Sequence, residues 1–206
     1  NIPSNQQNLL KHVEYLTSSD GQRDYTNITR LNEVWSYIYD YFEKYHCDEV
    51  KYQLFAVEGK EYKNVICIFT WKKTEKIVVW AHYDVDWNDR RGGEYDEILK
   101  GADDNASGIA GLLELVRLIW EKKDSLNYSL EFVAYTLEEM PFFKTKSMWS
   151  YIHAKSLSND SIKYMISLEM IWFFTEEKIQ RYPIDILSLI YPKKWNFIAL
   201  IWQLWD

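Results

Sequence analysis

Three short apolar runs in this 206-residue chain each stop at a chemically reactive side chain, and that repeated arrangement restricts the fold more than any other feature. Residues 77–81 run into His82-Tyr83-Asp84, residues 129–136 into Glu138-Glu139, and residues 162–168 into Glu169. The runs are apolar and largely β-branched or aromatic, and their length suits buried strands. Residues 65–71 read the same way, and residues 49–57 alternate in strand fashion before the turn Glu58-Gly59-Lys60. Helical patterns occupy 6–17, 28–45, 106–122 and 144–157; in the second, Leu31, Val34, Trp35, Ile38 and Phe42 recur at helical spacing. Strands alternating with helices imply an α/β domain around a central mixed, largely parallel sheet. A polar loop with Gly92-Gly93 is expected over 84–99, and one more strand over 196–202.

In such sheets functional groups gather in loops at the carboxyl ends of strands, and all the reactive residues above fall there. The loop they converge on is Gly101-Ala102-Asp103-Asp104-Asn105-Ala106-Ser107-Gly108, at the entrance of the third helix. Taken alone its two acids have a plain structural explanation, since acids favour the positive end of a helix dipole and Asn105 or Ser107 can cap the first turn. The neighbours change that reading. His82 and Asp84 point the same way along a strand, and a histidine beside a carboxylate suits a metal ligand whose ring is held by a second acid. Glu138 and Glu139, being adjacent, diverge, so that one can bind a metal while the other holds its water. Glu169 sits in the apolar Ser-Leu-Glu-Met-Ile-Trp, where a buried acid needs a partner and a metal supplies one. One histidine with several carboxylates and no thiolate suits Zn²⁺ in a hydrolytic two-metal site, with Mn²⁺ or Co²⁺ as alternatives. An acid-rich set also admits Mg²⁺ or Ca²⁺. No phosphate-binding loop, dinucleotide fingerprint or nucleophile elbow is present.

Composition narrows the field further. A formal net charge of −7 argues against nucleic acid as a partner, and no run approaches the length of a membrane span. With 47% hydrophobic residues a single domain over 1–206 can bury a sizeable core. The chain starts Asn-Ile-Pro, so any targeting segment is expected to have been removed or not included. Cys47 and Cys67 are not in a metal-type pair, and Cys67, inside an apolar run, reads as a small core residue.

The motifs AHYDV, GADDNASG leading into LLELVRLI, EFVAYTLEEMPFF and SLEMI occur in the order and spacing of the di-zinc aminopeptidases of the zinc-exopeptidase clan, which nearly the whole chain resembles. The resemblance implies a three-layer α/β/α zinc-exopeptidase-like domain that hydrolyses N-terminal peptide bonds of a peptide substrate. It assigns His82, Glu169 and Glu139 as zinc ligands, with Asp103 bridging two zincs across a cis peptide bond to Asp104. Asp84 is then the partner of His82, and Glu138 the general base. Family relatives are often exported, which favours a secreted or cell-envelope location. A one-zinc glutaminyl cyclase is a second expectation, opposed by the retained His82; a non-catalytic scaffold is a third, opposed by the filled ligand positions.

Two departures stand out. The family draws its last zinc ligand, a histidine, from well downstream of the Glu169 position, and His12, His46 and His153 do not fit that role; a C-terminally truncated sequence with a weak second site is expected. Tryptophan also outnumbers glycine, ten to seven. Trp80, Trp149, Trp172 and Trp195 stand where the family has glycine, and Trp71, Trp202 and Trp205 where glycine reads naturally. Several such replacements beside the site would overpack it. We expect them to arise from UGA codons that the source reads as glycine.

Overall fold

A computed structural model describes residues 3–18, 21–73, 75–86, 100–157, 160–178, 189, 192–194, 196 and 198. The loop expected at 84–99 lies mostly outside these residues, as do Trp195, Trp202, Trp205 and all but two positions of the strand expected at 196–202.

Two amphipathic helices open the chain. Helix α1 (Gln6–Leu16) is capped by Asn5, whose side chain accepts the N–H groups of Gln7 and Asn8. Helix α2 (Ile28–Lys44) is capped in the same way by Asn27 through the Arg30 N–H, and buries Leu31, Val34, Ile38 and Phe42. The chain then forms β1 (Glu49–Val57), β2 (Lys60–Phe69) and β3 (Lys76–His82), followed by α3 (Gly108–Trp120), β4 (Ser129–Tyr135), α4 (Trp149–Ser156) and β5 (Ile162–Ser167). Helix α4 starts five residues later than its sequence pattern suggests. The left-handed backbone of Lys144, with φ 60°, belongs to a series of turns ahead of it.

The five strands make one mixed sheet in the order β1-β2-β4-β3-β5. The hairpin β1–β2 and the β2–β4 pairing are antiparallel, whereas β3 runs parallel to both β4 and β5. The parallel portion carries the reactive residues, because parallel neighbours bring the carboxyl ends of β3, β4 and β5 to one edge. β4 is buried along its whole length, as a strand covered on both faces must be. Trp35 of α2 meets Tyr52 on one face of the sheet. Trp149 of α4 meets Phe55 on the other. Helices on both faces give the three layers of an α/β/α sandwich.

Two details differ from expectation. Cys67 is fully buried, but it is half of a disulfide with Cys47, tying the end of α2 to β2. Of the tryptophans in question, Trp149 is fully buried with its indole N–H lacking an acceptor. Its ring centroid lies 3.5 Å from that of Phe55 at a 57° tilt, closer than tilted rings ordinarily settle. Trp80 is half-buried against Tyr135, and Trp172 is exposed.

Candidate metal centre

β3 ends at His82, which pairs in register with Tyr135, and the chain then turns through the buried Tyr83, Asp84 and Val85. The His82 ring is buried, and both nitrogens face acceptors. Nδ1 is 3.1 Å from the Asp84 carbonyl oxygen and 3.5 Å from Asp84 Oδ1. Nε2 is 3.1 Å from Glu169 Oε1 and 3.2 Å from Asp104 Oδ1. His82, Asp104 and Glu169 thus present three donor atoms within 4.8 Å of one another.

The acid that joins His82 is therefore Asp104, and the expectation that Asp103 does so is corrected. Asp103 turns the other way, and its Oδ1 accepts the backbone N–H groups of Trp172 (2.9 Å) and Phe173 (3.0 Å). The cis peptide bond likewise lies one residue further on, between Asp104 and Asn105. Asp104 and Asn105 both leave helical geometry, at φ/ψ of −104°/94° and −132°/38°. Adjacent side chains in such a stretch point apart. The two flanking glycines permit this path. Gly101 has φ 56°, and an added Cβ there would collide with Val85 and the Asp104 carbonyl; at Gly108 it would collide with Asn105 and the Leu168 carbonyl.

After β4, Leu137 takes a left-handed backbone (φ 53°) and the chain turns into Glu138-Glu139. Glu138 accepts a 3.1 Å hydrogen bond from the Ser150 hydroxyl on α4. Burial, reinforced by Asp84 and Glu169, pushes its carboxyl up to about 7 against the pull of His82 and Ser150. Burial together with the Asp104 charge also raises Glu139 to about 7. The backbone N–H of Glu139 donates to Asp84 Oδ2 at 3.1 Å, but its carboxylate is not one of the three clustered donors.

The chemistry of this group suits a cation. Asp104 Oδ1 and Asp84 Oδ1 are buried and receive no hydrogen bond, an arrangement that is costly without positive charge nearby. Burial pulls the His82 pKa down, yet Asp104, Asp84 and Glu169 hold it well above its ordinary value. Imidazole plus carboxylates, with the other ring nitrogen already anchored, is the donor set of zinc sites.

Sequence reasoning missed several residues that shape the site. Arg23 is fully buried and donates to four carbonyls: Leu16, Tyr83 (2.9 Å), Lys100 (2.7 Å) and Gly101 (3.1 Å). It thereby joins the His82 turn to the Asp104 loop. Glu131, in the middle of β4, pairs with His153 Nε2 at 2.8 Å and with Lys76 at 3.2 Å, while Tyr135 reaches His153 Nδ1 at 2.6 Å. A lone acid inside the apolar Ser129–Tyr135 was the available signal. His153 is thus committed to β4, and His12 bonds Tyr37, so neither enters the His82 group.

Comparison with known proteins bears on family and fold. The family model described as peptidase family M28 matches residues 64–192. An uncharacterised Escherichia coli K12 protein, YfbL, is 37% identical over 201 residues, which are 96% of this chain and 60% of that protein. A glutaminyl cyclase from Bacteroides thetaiotaomicron superposes with a TM-score of 0.65 at 19% identity, over 86% of this chain and 65% of its own. A leucine aminopeptidase precursor from the same organism superposes with a TM-score of 0.65 at 19% identity, over 86% and 66%. A Zn-dependent exopeptidase from Parabacteroides distasonis gives 0.62 at 21% identity, over 83% and 63%. The chain spans less than two thirds of each of these proteins.

Proposed function

The chain belongs to peptidase family M28, and from that membership we propose that it is the catalytic part of a zinc-dependent aminopeptidase. The observation that carries this reading is the convergence of His82, Asp104 and Glu169 at the carboxyl edge of the parallel strands. These three would hold one zinc. Asp104 would be shared with a second held by Glu139, taking the bridging role expected of Asp103. When bound, the metal polarises the scissile carbonyl and lowers the pKa of water.

The chain's own groups do the rest. Asp84 fixes the His82 ring by its carbonyl and carboxylate and holds the Glu138-Glu139 turn through the Glu139 amide. Glu138, buried and poised near neutrality, takes a proton from the attacking water and passes it to the leaving amine. Ser150 keeps one Glu138 oxygen occupied, so the other is the one that works. The substrate of this reading is a peptide with a free N-terminal residue. The Cys47–Cys67 disulfide supports an exported protein, since such bonds persist in oxidising compartments.

A second reading, an enzyme with a single metal held by His82, Asp104 and Glu169, is favoured by one observation: the Glu139 carboxylate is not among the clustered donors. Zinc content and hydrolysis of aminoacyl amides, with and without chelator, separate the possibilities. In the full-length protein two zincs per chain and chelator-sensitive hydrolysis are expected. One zinc with hydrolysis retained favours the second reading, cyclisation of N-terminal glutamine would point to a glutaminyl cyclase, and no zinc favours a scaffold. Glu138→Gln should lower kcat by about 10²–10⁴-fold, the range typical of a general base; unchanged hydrolysis would remove Glu138 from that role.

A further inference from the structure

Beyond Leu168 the chain leaves the sheet. The Leu168 N–H makes the last bond to β3, at the Trp80 carbonyl (2.9 Å), and the residues that follow have no strand partner for their amides among the described residues. Four consecutive backbone N–H groups are instead accepted by side chains of the Asp104 loop. Met170 N–H goes to Asn105 Oδ1 (3.3 Å), Ile171 N–H to Ser107 Oγ (3.0 Å), and those of Trp172 and Phe173 to Asp103 Oδ1. Asn105 Nδ2 completes the contact, donating to the Leu168 carbonyl (2.9 Å) and to Glu169 Oε2 (3.2 Å). Ser107 Oγ in turn donates to the Asp103 carbonyl (2.6 Å), so the accepting groups brace one another.

We propose that Asp103, Asn105 and Ser107 form a clasp that sets the distance between Asp104 and Glu169, with Asp103 a positioning residue and not a ligand. The proposal rests on the reading of His82, Asp104 and Glu169 as a zinc site. Its physical basis is division of labour along one loop. Residues 103, 105 and 107 bind the 168–173 backbone, and the intervening Asp104 faces His82. Asn105 is fully buried and uses both of its polar atoms on this contact. One Glu169 oxygen is held by Asn105 while the other faces His82, so the carboxylate is oriented before any metal arrives. The clasp grips only main-chain amides at 172 and 173, so it works whichever side chains stand there.

Two measurements on the full chain test this, neither of them catalytic: zinc affinity by chelator competition, and amide hydrogen exchange at 170–173 in metal-free protein. Asp103→Asn keeps an oxygen acceptor, and should leave both within about threefold of wild type. Asp103→Ala should speed exchange at Trp172 and Phe173 and weaken zinc binding about tenfold, as loss of outer partners of a metal site does. Ser107→Ala, a milder change in case Asp103→Ala does not fold, should speed exchange at Ile171. Asp104→Asn should lose zinc while leaving exchange at 170–173 slow. Zinc loss in Asp103→Asn as deep as in Asp104→Asn would make Asp103 a ligand and overturn the clasp. Unchanged exchange in both Asp103→Ala and Ser107→Ala would overturn it as well. Wild-type zinc binding in Asp104→Asn would instead overturn the metal assignment, with the exchange data still deciding whether the clasp exists.

Discussion

His82 Nε2 and Glu169 Oε1 lie 3.1 Å apart, although 87 residues separate them in the chain. The sheet accounts for half of this approach, because β3 and β5 are parallel neighbours and end side by side. The other half is local. Met170 adopts a left-handed backbone (φ 48°) immediately after Glu169, turning the chain back toward the Asp104 loop. A non-glycine residue in that region needs surrounding structure to hold it, and the four accepted amides supply that.

Removing the charge of Asp84 should loosen the site without abolishing it. Its Oδ2 accepts the Glu139 amide, and its Oδ1 stands 3.5 Å from His82 Nδ1. Asp84→Asn is expected to weaken zinc binding by roughly 10–100-fold, the usual effect of changing the group behind a ligating histidine. Chelator competition reads this directly, and an unchanged affinity would show that the Asp84 carbonyl alone orients the ring.

His12 should contribute a loss of stability on mild acidification, opposite in sign to Glu138 and Glu139, whose raised carboxyls favour the folded state as pH falls. This buried histidine bonds the Tyr37 hydroxyl and packs edge-on against Tyr41. Burial lowers its pKa from 6.5 to about 4, and nearby Lys44 adds to that against the pull of Glu114. The unfolded chain therefore takes up the proton first. The stabilisation is whole above pH 6.5 and is lost as pH falls toward about 4, a span that corresponds to about 3 kcal/mol. Glu131, held below the usual carboxylate range by His153 and Lys76 although burial opposes them, acts at lower pH. Urea denaturation of wild type and His12→Gln at pH 7 and pH 5 isolates this contribution: on acidification the wild type should lose more stability, or gain less, than the variant.

Replacing Trp149 separates two accounts of the tryptophan excess. If the residue is native, loss of a fully buried indole should cost about 3–5 kcal/mol. If the position belongs to glycine, Trp149→Gly should raise stability, relieving the close approach to Phe55 and removing an indole N–H without an acceptor. The sign of the change in unfolding midpoint decides, and the codons at 80, 149 and 172 give an independent answer.

Much of this molecule is legible in its sequence. Short apolar runs with reactive residues at their ends mark β3, β4 and β5, and the parallel pairing that follows places His82, Glu138 and Glu169 on one edge. What the sequence does not resolve is which of two adjacent acids faces the site. Asp103 and Asp104 have the same chemistry, and the choice is made by a backbone that leaves helical geometry at Asp104 and Asn105. Long-range satisfaction of buried groups is equally hidden. Nothing local to Arg23 announces that it donates to carbonyls near both His82 and Asp104, and Glu131, conspicuous as a lone acid in an apolar run, does not by itself point to His153 as its partner.

The Arg23 contacts bear on where this domain can be cut. Residues 64–192 are recognisable by family pattern alone, and an expression fragment trimmed to that span would retain every reactive residue considered above. It would also leave the Tyr83 and Gly101 carbonyls without the guanidinium that gathers them, and β2 without its disulfide anchor at Cys47. The smallest autonomous unit is consequently larger than the smallest recognisable one, and its N-terminal boundary lies ahead of Arg23.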